Sequence, residues 1–335
     1  MADEVEPASP EYAKTTQKGL LALEEILKRP VKLKDHLELD LGLDSLNRIE
    51  LLLNLESRLN LKMSEAEAME FFLSSTVEQL LGKLEKVLPK VEKEIEPSGT
   101  FLWEKVLQEP SQAETLKQIQ IHFGFLSVIF NILVISVFKI FFKVFFLLRT
   151  QGEKNLSHNG PYLICPNHTS YLDGLFILTA LPFKIALQTY FVGYRPFFDN
   201  VFIKRFVKVA RLIPLEISFN LIEALKACTF VLRNNKILCY FPEGQRSIDG
   251  KVKDFKKGVG ILVKELDIPV VPVYIEGAYR TWSRTMRFPK LAPVKVIFGE
   301  KLFLKDLAAV GVGEDIYKKI AKNLQGYVEK LGEDH

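Results

Sequence analysis

The 335-residue sequence predicts a multidomain protein: an N-terminal bundle of four short helices, then a membrane-associated helix, then an α/β domain. Three observations predict this order. Apolar residues recur with helical spacing from Lys14 to Leu88, and an apolar run follows at about residues 121–148. Beyond Arg149, short β-rich runs alternate with helical runs, which is typical of an α/β sandwich.

The domain boundaries follow from changes in composition. A linker between the bundle and the apolar helix is indicated by Pro89, Pro97, Ser98, Gly99 and Pro110 among many charges. The predicted order is a tail, a bundle, a linker, an apolar helix and an α/β domain, at residues 1–12, 13–90, 91–118, 119–148 and 149–335.

The two parts of the chain carry opposite charge. Residues 1–98 hold 13 Lys/Arg and 20 Asp/Glu, a net charge of −7, whereas residues 99–335 hold 32 and 21, a net charge of +11. A basic region can bind anionic lipid or phosphorylated substrates, and an acidic module can dock on it, although both can also be solvated surfaces. We expect no nucleic-acid partner.

Cysteine usage and the N-terminus indicate the compartment. Cys165, Cys228 and Cys239 are an odd set without paired spacing, which predicts neither a disulfide framework nor a zinc site. Residues 1–30 contain no long apolar run, so we expect no signal peptide. A reducing compartment and the cytoplasmic side of a membrane fit these features, and no metal site is predicted.

The bundle contains the stretch Leu39-Asp40-Leu41-Gly42-Leu43-Asp44-Ser45-Leu46. Gly42 ends a loop, and Asp44 and Ser45 begin a helix whose free N–H groups and positive dipole end suit a phosphodiester. The same residues could be an ordinary helix cap. The stretch resembles the attachment site of acyl carrier proteins, which implies that Ser45 carries covalent 4′-phosphopantetheine and, through it, an acyl thioester.

The helix after Ser45 departs from the usual acidic recognition helix of acyl carrier proteins. Arg48 and Arg58 lie in it, although Glu50 and Glu56 remain. The partners that recognise this helix are therefore left open by the sequence.

The apolar run admits three interpretations. Residues 123–138 are uncharged, but 16 residues are fewer than the roughly 20 that span a bilayer. Lys139 and Lys143 then share one helical face, while the aromatic residues Phe138, Phe141, Phe142 and Phe145 follow the spacing of another. An interfacial helix is favoured, and a span with snorkelling lysines and a soluble core helix remain alternatives.

Six strands are predicted in the α/β domain, at Tyr162–Cys165, Ile185–Phe191, Leu212–Leu215, Ile237–Phe241, Val270–Ile275 and Val294–Phe298. The first is followed by Pro166-Asn167-His168-Thr169-Ser170-Tyr171-Leu172-Asp173-Gly174 and then by a helix at Leu175–Ala180. Five helical residues rotate by about 500°, so His168 can meet Asp173 only from the strand-to-helix turn, with Thr169 or Ser170 capping the helix. Such a pair can act as a general base, or it can be purely structural.

A second polar block follows the Ile237–Phe241 strand, and it reads Phe241-Pro242-Glu243-Gly244-Gln245-Arg246-Ser247. Gly244 allows the backbone to approach a ligand, and Arg246 and Ser247 offer a guanidinium and a hydroxyl of the kind that bind phosphate. By itself this block could be a charged turn.

Together the two blocks resemble the signature of glycerophospholipid acyltransferases of the 1-acylglycerol-3-phosphate type. Residues 255–258 and the strand at residues 268–273 match the family as well. The resemblance implies that His168 and Asp173 are catalytic and that seven other residues bind substrate: Asn167, Glu243, Gly244, Arg246, Ser247, Lys257 and Pro272. One block departs, because residues 211–217 read Arg-Leu-Ile-Pro-Leu-Glu-Ile where the family carries a phosphate-binding arginine, for which Arg211, Arg280, Arg284 or Arg287 could substitute.

The resemblances imply an O-acyltransferase that moves a fatty acyl chain from a phosphopantetheine thioester, in cis or in trans, to a hydroxyl of a lysophospholipid or glycerol phosphate. Expected partners are membrane lipids, the lysophospholipid acceptor, an acyl-activating enzyme and a phosphopantetheinyl transferase. The alternatives are an acyl-CoA-dependent enzyme with a regulatory carrier and a non-catalytic carrier that binds lipid.

Overall fold

The computed structural model describes residues 10–59, 63–87, 102–194, 211–215, 221–308 and 315–333. The chain divides into two compact units, with the boundary between Leu102 and Trp103. Residues 1–9, most of the predicted tail, residues 88–90 of the predicted bundle and residues 91–101 of the predicted linker lie outside the described residues.

The first unit contains four helices, α1 (Pro10–Leu27), α2 (Ser45–Leu59), α3 (Glu65–Phe72) and α4 (Val77–Val87). Their apolar faces meet in one core with Leu23, Leu51, Leu55, Phe71 and Leu80 at its centre. Helix α3 begins at a capping box, since the Ser64 hydroxyl accepts a hydrogen bond from the Glu67 N–H and the Glu67 carboxylate accepts one from the Ser64 N–H.

The second unit begins earlier than its composition suggests. Helices α5 (Trp103–Gln108) and α6 (Ala113–Gln118) belong to it, and α5 packs on two helices of the α/β domain. Trp103 and Leu107 are buried. Residues 103–118 are therefore not a linker as predicted: a pair of large apolar residues at i, i+4 anchors a segment whose many charges hide its role.

The apolar run forms helix α7 (Phe125–Phe145), which is long and apolar enough to cross a membrane by length and composition. One side of α7 packs on the α/β domain through Ile135 and Phe142. The opposite side carries large exposed apolar side chains, among them Leu126, Leu133, Val137, Ile140 and Val144.

Lys139 lies on the side of α7 that faces the protein. Its Nζ donates hydrogen bonds of 2.7 Å to the carbonyl oxygens of Thr179 and Leu181 at the end of the following helix. The predicted lysine face is thus divided, because Lys139 binds backbone carbonyls at a negative helix end while Lys143 remains exposed.

The α/β domain is built on a seven-stranded mixed sheet. The strands are β1 (Arg149–Gln151), β2 (Tyr162–Pro166), β3 (Thr189–Tyr194), β4 (Leu212–Leu215), β5 (Ile237–Cys239), β6 (Val270–Glu276) and β7 (Lys295–Phe298), in the spatial order β1-β7-β6-β2-β5-β3-β4. Strands β2 to β6 are parallel, β7 is antiparallel to β6, and β1 is parallel to β7.

Helices cover the sheet, as the buried strands require. They are α8 (Asp173–Ala180), α9 (Phe183–Ala186), α10 (Leu221–Arg233), α11 (Lys257–Leu266), α12 (Tyr279–Trp282), α13 (Leu304–Leu307) and α14 (Ile316–Glu333). A 3-10 turn occupies residues 153–155. Helices α7 and α8 share an apolar core with the sheet, where the Phe142 and Phe176 rings meet edge to face with centroids 5.1 Å apart.

The largest differences between the predicted and the observed strands concern β3 and β1, and the predicted strand Ile237–Phe241 ends at Cys239. The predicted strand Ile185–Phe191 begins only at Thr189, because the Pro182 carbonyl accepts the N–H groups of Ile185 and Ala186 and starts helix α9. Strand β1 was not predicted, and its three residues gain their strand conformation by pairing with β7. The strand at Leu212–Leu215 has the predicted bounds.

Substitution of Gly260 tests the packing of α11, the helix that follows the second polar block. A Cβ atom at Gly260 would lie 2.0 Å from the Tyr317 carbonyl oxygen of α14, so Gly260→Ala must push the two helices apart. We expect a loss of about 1–3 kcal/mol or more in the free energy of unfolding, measured by denaturant titration of the full chain. Gly326→Ala in α14, where no atom lies within 4 Å, is the control and should stabilise by up to about 1 kcal/mol. Equal stability of the two variants would contradict this packing.

Candidate active site

The polar blocks meet at one edge of the sheet. Strands β2, β5 and β6 are parallel and adjacent, so the segments that follow their carboxyl ends converge there. These segments contain His168, Glu243 to Ser247, and helix α12.

His168 and Asp173 form a hydrogen-bonded pair at this edge. The His168 Nδ1 lies 2.8 Å from Asp173 Oδ2, and the same oxygen accepts the backbone N–H groups of Thr169 at 2.7 Å and Ser170 at 2.8 Å. Asp173 is fully buried and is the first residue of α8. The turn geometry expected for His168 is present. At the start of α8 the Ser170 hydroxyl accepts the Leu172 N–H at 3.2 Å, while the Asp173 carboxylate accepts the N–H groups of the preceding turn.

This arrangement fixes the chemistry of the imidazole. Because Asp173 Oδ2 already accepts two N–H groups and is a carboxylate oxygen, Nδ1 donates to it, and Nε2 is left with a free lone pair. The His168 side chain is 19% exposed, and its ring packs on Phe241 with centroids 4.3 Å apart. His168 therefore presents a basic nitrogen at the surface of the site.

Glu243 holds the backbone of His168 in place. Its Oε1 accepts the His168 backbone N–H at 2.8 Å, and its side chain is buried. Burial raises the pKa of Glu243 to about 8, with the Asp173 charge adding to the effect against backbone hydrogen bonds that lower it. The substrate-binding role predicted for Glu243 is thus corrected to a positioning role.

Asn167 and Ser247 are also positioning residues and not substrate contacts. Asn167 is buried, and its Oδ1 accepts the Ile275 N–H at 2.7 Å. The Ser247 N–H donates to the His168 carbonyl at 2.7 Å, and the Ser247 hydroxyl is buried and bonded to Asp249 at 2.8 Å. The contacts of both side chains fix the catalytic turn to the neighbouring segments of the protein.

Lys257 and Pro272 lie away from His168. The Lys257 Nζ pairs with Asp315 at 2.7 Å and is almost fully buried. Pro272 lies inside β6, paired with Cys165 of β2 and hydrogen-bonded through its carbonyl to the Gly299 N–H. Both residues stabilise the fold, so their predicted substrate-binding roles are corrected.

Arg246 and Gly244 are placed to meet a ligand. Gly244 is exposed and adopts φ +72°, a conformation that favours glycine. The Arg246 guanidinium stacks 3.6 Å above the Tyr171 ring, and its Nε is buried without a hydrogen-bond partner in the described part of the chain. A guanidinium that is held by stacking and whose Nε lacks a partner among the described residues is preorganised for an anion.

Sequence reasoning missed Tyr171 and Trp282. Their rings contact each other with centroids 5.1 Å apart, and the Tyr171 N–H donates to the Trp282 carbonyl at 3.0 Å. Tyr171 lies within the first polar block, so an aromatic ring three residues after His168 was the available signal. No sequence signal linked Trp282 to the site, because it arrives from β6.

The four substitute arginines occupy different places. Arg211 precedes β4 and therefore lies at the opposite sheet edge, where it is buried against the Phe123 ring at 4.2 Å. Arg284 is exposed beside the site and donates to Gln245 at 3.5 Å. Arg280 and Arg287 are exposed in the same segment as Arg284. Glu216 and Ile217 of the departing block lie outside the described residues.

In the first unit, Ser45 is exposed and is the first residue of α2. Gly42 has φ +60°, and Asp44 Oδ1 accepts the Asn47 N–H at 2.9 Å, so the helix start is formed by Asp44 and the Ser45 hydroxyl remains accessible. An accessible serine at a helix N-terminus fits a phosphodiester-linked group.

The two arginines of α2 are engaged within the first unit. The Arg48 guanidinium donates to the carbonyl oxygens of Phe72 at 3.1 Å and Ser74 at 3.0 Å, and Arg58 pairs with Glu25. Arg48 is thus a structural clamp between α2 and the α3–α4 loop.

Comparison with known families separates the two units. Residues 20–84 match the family described as Phosphopantetheine attachment site, and residues 148–276 match the family described as Acyltransferase. The chain therefore contains a carrier domain of the class that binds 4′-phosphopantetheine covalently, followed by an acyltransferase domain.

Relatives resemble the second unit. A 1-acyl-sn-glycerol-3-phosphate acyltransferase of Limnanthes douglasii is 26% identical over 151 residues, covering 44% of this chain and 52% of the relative. The chloroplastic 1-acyl-sn-glycerol-3-phosphate acyltransferase BAT2 of Brassica napus is 30% identical over 137 residues, 40% of this chain and 38% of the relative. The chain thus spans about half the length, or less, of these relatives. The crystal structure of PlsC, the 1-acyl-sn-glycerophosphate acyltransferase of Thermotoga maritima, aligns with a TM-score of 0.47 at 24% identity, over 60% of this chain and 81% of that chain.

The raised pKa of Glu243 predicts a pH-dependent stability. A carboxyl group whose folded pKa lies near 8 instead of 4.5 is protonated in the fold, so the free energy of unfolding falls as pH rises from about 5 to 8 and then levels off. Glu243→Gln keeps an oxygen for the His168 N–H and cannot ionise, so its stability relative to the parent protein should rise across this window. Denaturant titrations at several pH values measure the difference, and a pH-independent difference would contradict a protonated Glu243.

Proposed function

We propose that the chain transfers a fatty acyl group from a thioester donor to a hydroxyl of a lysophospholipid or glycerol phosphate. The observation that carries this proposal is the His168–Asp173 pair, which offers a free Nε2 at the surface of the site. Beside it lies Arg246, whose buried Nε has no hydrogen-bond partner among the described residues. The relatives named as 1-acyl-sn-glycerol-3-phosphate acyltransferases support this class of acceptor.

His168 acts as the general base. Its Nε2 takes the proton of the acceptor hydroxyl, the oxygen attacks the thioester carbonyl carbon, the carbon–sulfur bond breaks, and the imidazolium returns the proton to the leaving sulfur. Asp173 stabilises the imidazolium through the 2.8 Å hydrogen bond to Nδ1 and holds the ring in one tautomer. No covalent enzyme intermediate is needed.

Arg246 recognises the phosphate of the acceptor. The Tyr171 ring fixes the guanidinium plane, so little side-chain entropy is lost when the phosphate binds. The exposed backbone at Gly244 allows close approach of the same ligand. The head group beyond the phosphate is left open by these contacts.

The donor is carried by Ser45. Phosphopantetheine on Ser45 would supply the thiol that holds the acyl group as a thioester, in cis or in trans, and tethering raises a local donor concentration to roughly millimolar. This proposal implies a phosphopantetheinyl transferase and an acyl-activating enzyme as partners. An acyl-CoA donor with a regulatory carrier is the alternative.

Helix α7 binds the enzyme to the membrane, on the cytoplasmic side. Its inner face contacts the α/β domain from Asn131 to Phe142, and its outer face is apolar and exposed. The α/β domain packs along α7, so α7 could cross a bilayer only if this charged domain entered the bilayer as well. An in-plane position is therefore favoured over a span.

Substitution of Ser45 tests the carrier assignment. A phosphopantetheinyl transferase should attach one fluorescent coenzyme A analogue per chain, and Ser45→Ala should abolish labelling because only Ser45 is proposed as the attachment site. The matched control is Ser64→Ala, which removes the serine at the start of α3. Ser64→Ala should lose about 1 kcal/mol of stability and keep full labelling. Label on Ser45→Ala, or none on the parent protein, would reject the carrier assignment.

Substitution of His168 tests the base. His168→Ala should lower turnover by roughly 10²–10⁴-fold with little change in acceptor affinity, in an assay with acyl-loaded carrier and lysolipids. Asp173→Asn should lose part of the same factor, and the double variant should lose less than the sum because the pair acts as a unit. His158→Ala is the control, because His158 is exposed before β2 at the other sheet edge.

Arg246→Ala should behave differently from His168→Ala. It should raise the KM for phosphate-bearing acceptors more than it lowers turnover, because it removes a charge-assisted contact and leaves the base in place. Unchanged turnover of a folded His168→Ala protein would reject His168 as the base, and absence of turnover in the parent protein would favour the non-catalytic carrier. Equal turnover of the parent protein and Ser45→Ala with acyl-CoA would favour the coenzyme A donor.

A further inference from the structure

The segment after β6, residues 277–293, carries a concentrated positive charge. It contains Arg280, Arg284, Arg287 and Lys290 and no carboxylate, and all four cations are exposed. Phe288 lies between Arg287 and Lys290, Leu291 follows Lys290, and their side chains are 68% and 65% exposed. Large apolar groups flanked by cations are the composition of surfaces that bind anionic bilayers.

The base of this basic–apolar segment is fixed to the catalytic turn. The Ser170 hydroxyl lies 3.0 Å from the Thr281 hydroxyl, and the Tyr171 N–H donates to the Trp282 carbonyl at 3.0 Å. The Lys290 N–H donates to the Thr281 carbonyl at 2.7 Å and closes the segment into a loop. The exposed residues at positions 288 and 291 are therefore displayed by a loop with an ordered base.

The loop ends beside the apolar helix α7. The Val294 N–H donates to the Phe146 carbonyl at 3.0 Å, and the Arg149 N–H donates to the Val294 carbonyl at 3.0 Å. Phe145 and Leu147, at the carboxyl end of α7, are 49% and 56% exposed. The basic–apolar segment, the end of α7 and His168 thus share one edge of the sheet.

We propose that the basic–apolar segment is a second membrane-binding element, in which Phe288 and Leu291 insert into the bilayer and the four cations bind anionic lipid headgroups. This inference rests on the proposed binding of α7 to the membrane and extends that binding to the loop that borders the active site. Contacts of both α7 and this segment with the bilayer would hold His168 at the membrane surface, where the acceptor lies.

A bilayer fits this surface better than a protein partner does. The Phe288 and Leu291 side chains are largely exposed on a loop, and the segment lies next to an apolar helix whose exposed face is apolar as well. Electrostatic attraction of about 1 kcal/mol per cation near an anionic surface corresponds to about a fivefold gain in binding per residue.

Site-specific labelling of the full-length chain tests the proposal. Cys165, Cys228 and Cys239 are all buried, so an exposed cysteine can be labelled selectively with an environment-sensitive fluorophore. Three variants are compared: Leu291→Cys in the segment, Leu133→Cys on the outer face of α7, and Lys322→Cys on the exposed side of α14. Each is bound to phosphatidylcholine vesicles with and without phosphatidylglycerol that contain a quencher on the acyl chains.

We expect the label at position 291 to be quenched on vesicles with phosphatidylglycerol, the label at 133 to be quenched on both kinds, and the label at 322 on neither. In the Leu291→Cys background, Arg287→Gln with Lys290→Gln should lower the ratio of inserted to uninserted loop by about 25-fold. High salt should produce a similar loss, because exposed charges are screened.

Other outcomes separate this inference from the proposed function. If the label at 133 is quenched and the label at 291 behaves like that at 322, the second membrane contact is rejected, while the proposed binding of α7 to the membrane is supported. If the labels at 133 and 291 are both unquenched, the proposed membrane binding of α7 is rejected as well. If the charge variants slow transfer from a soluble acyl-carrier donor without changing quenching at 291, the segment binds a protein and the lipid proposal is overturned.

Discussion

The buried carboxylate of Asp173 is the constraint on which the site depends. A fully buried charge is tolerated only when it is hydrogen-bonded, and Asp173 Oδ2 accepts N–H groups from His168, Thr169 and Ser170. Satisfying this one oxygen bends the chain after β2 into a tight turn and brings the imidazole back over the start of α8. The His168 orientation and the loop conformation are therefore consequences of one electrostatic requirement.

Burial determines the state of a neighbouring carboxyl group. Desolvation raises the pKa of Glu243 to about 8, the nearby Asp173 charge adds to this effect, and Glu243 is therefore neutral at pH 7. A neutral Glu243 can still accept the His168 N–H, while Ser247 binds the His168 carbonyl. His168 is thus held through its backbone on both sides and through its ring by Asp173, and only Nε2 is left for chemistry.

The sequence predicted which two blocks form the site but not which role each residue has within them. His168, Asp173 and Arg246 were identified by residue type and spacing, and the structure brings them to one edge of the sheet. Asn167, Ser247 and Lys257 were grouped with substrate contacts because they are polar and adjacent to the motifs, yet their polar atoms bond to the protein. Sequence order does not reveal which way a side chain points. For the same reason the sequence did not identify Tyr171 and Trp282, which do lie at the site.

The regular strands of the fold were predictable from β-rich runs. Strand β1 and helix α5 were not, because they depend on tertiary partners that no local pattern encodes.

Close contacts link helix α7 to the catalytic turn. Phe142 packs on Phe176 of α8, and Lys139 binds the carbonyl oxygens at the carboxyl end of α8, while Asp173 is the first residue of the same helix. A displacement of α7 would therefore move α8 and the turn that holds His168, because close-packed helices of this length shift as units. A lysophospholipid acceptor of the proposed reaction would be held in the bilayer, and a carrier domain of net negative charge is confined to water. Acyl transfer between them can occur only at the boundary between the two phases, which is where an in-plane α7 with one face on the protein and the other in lipid would hold the His168 imidazole.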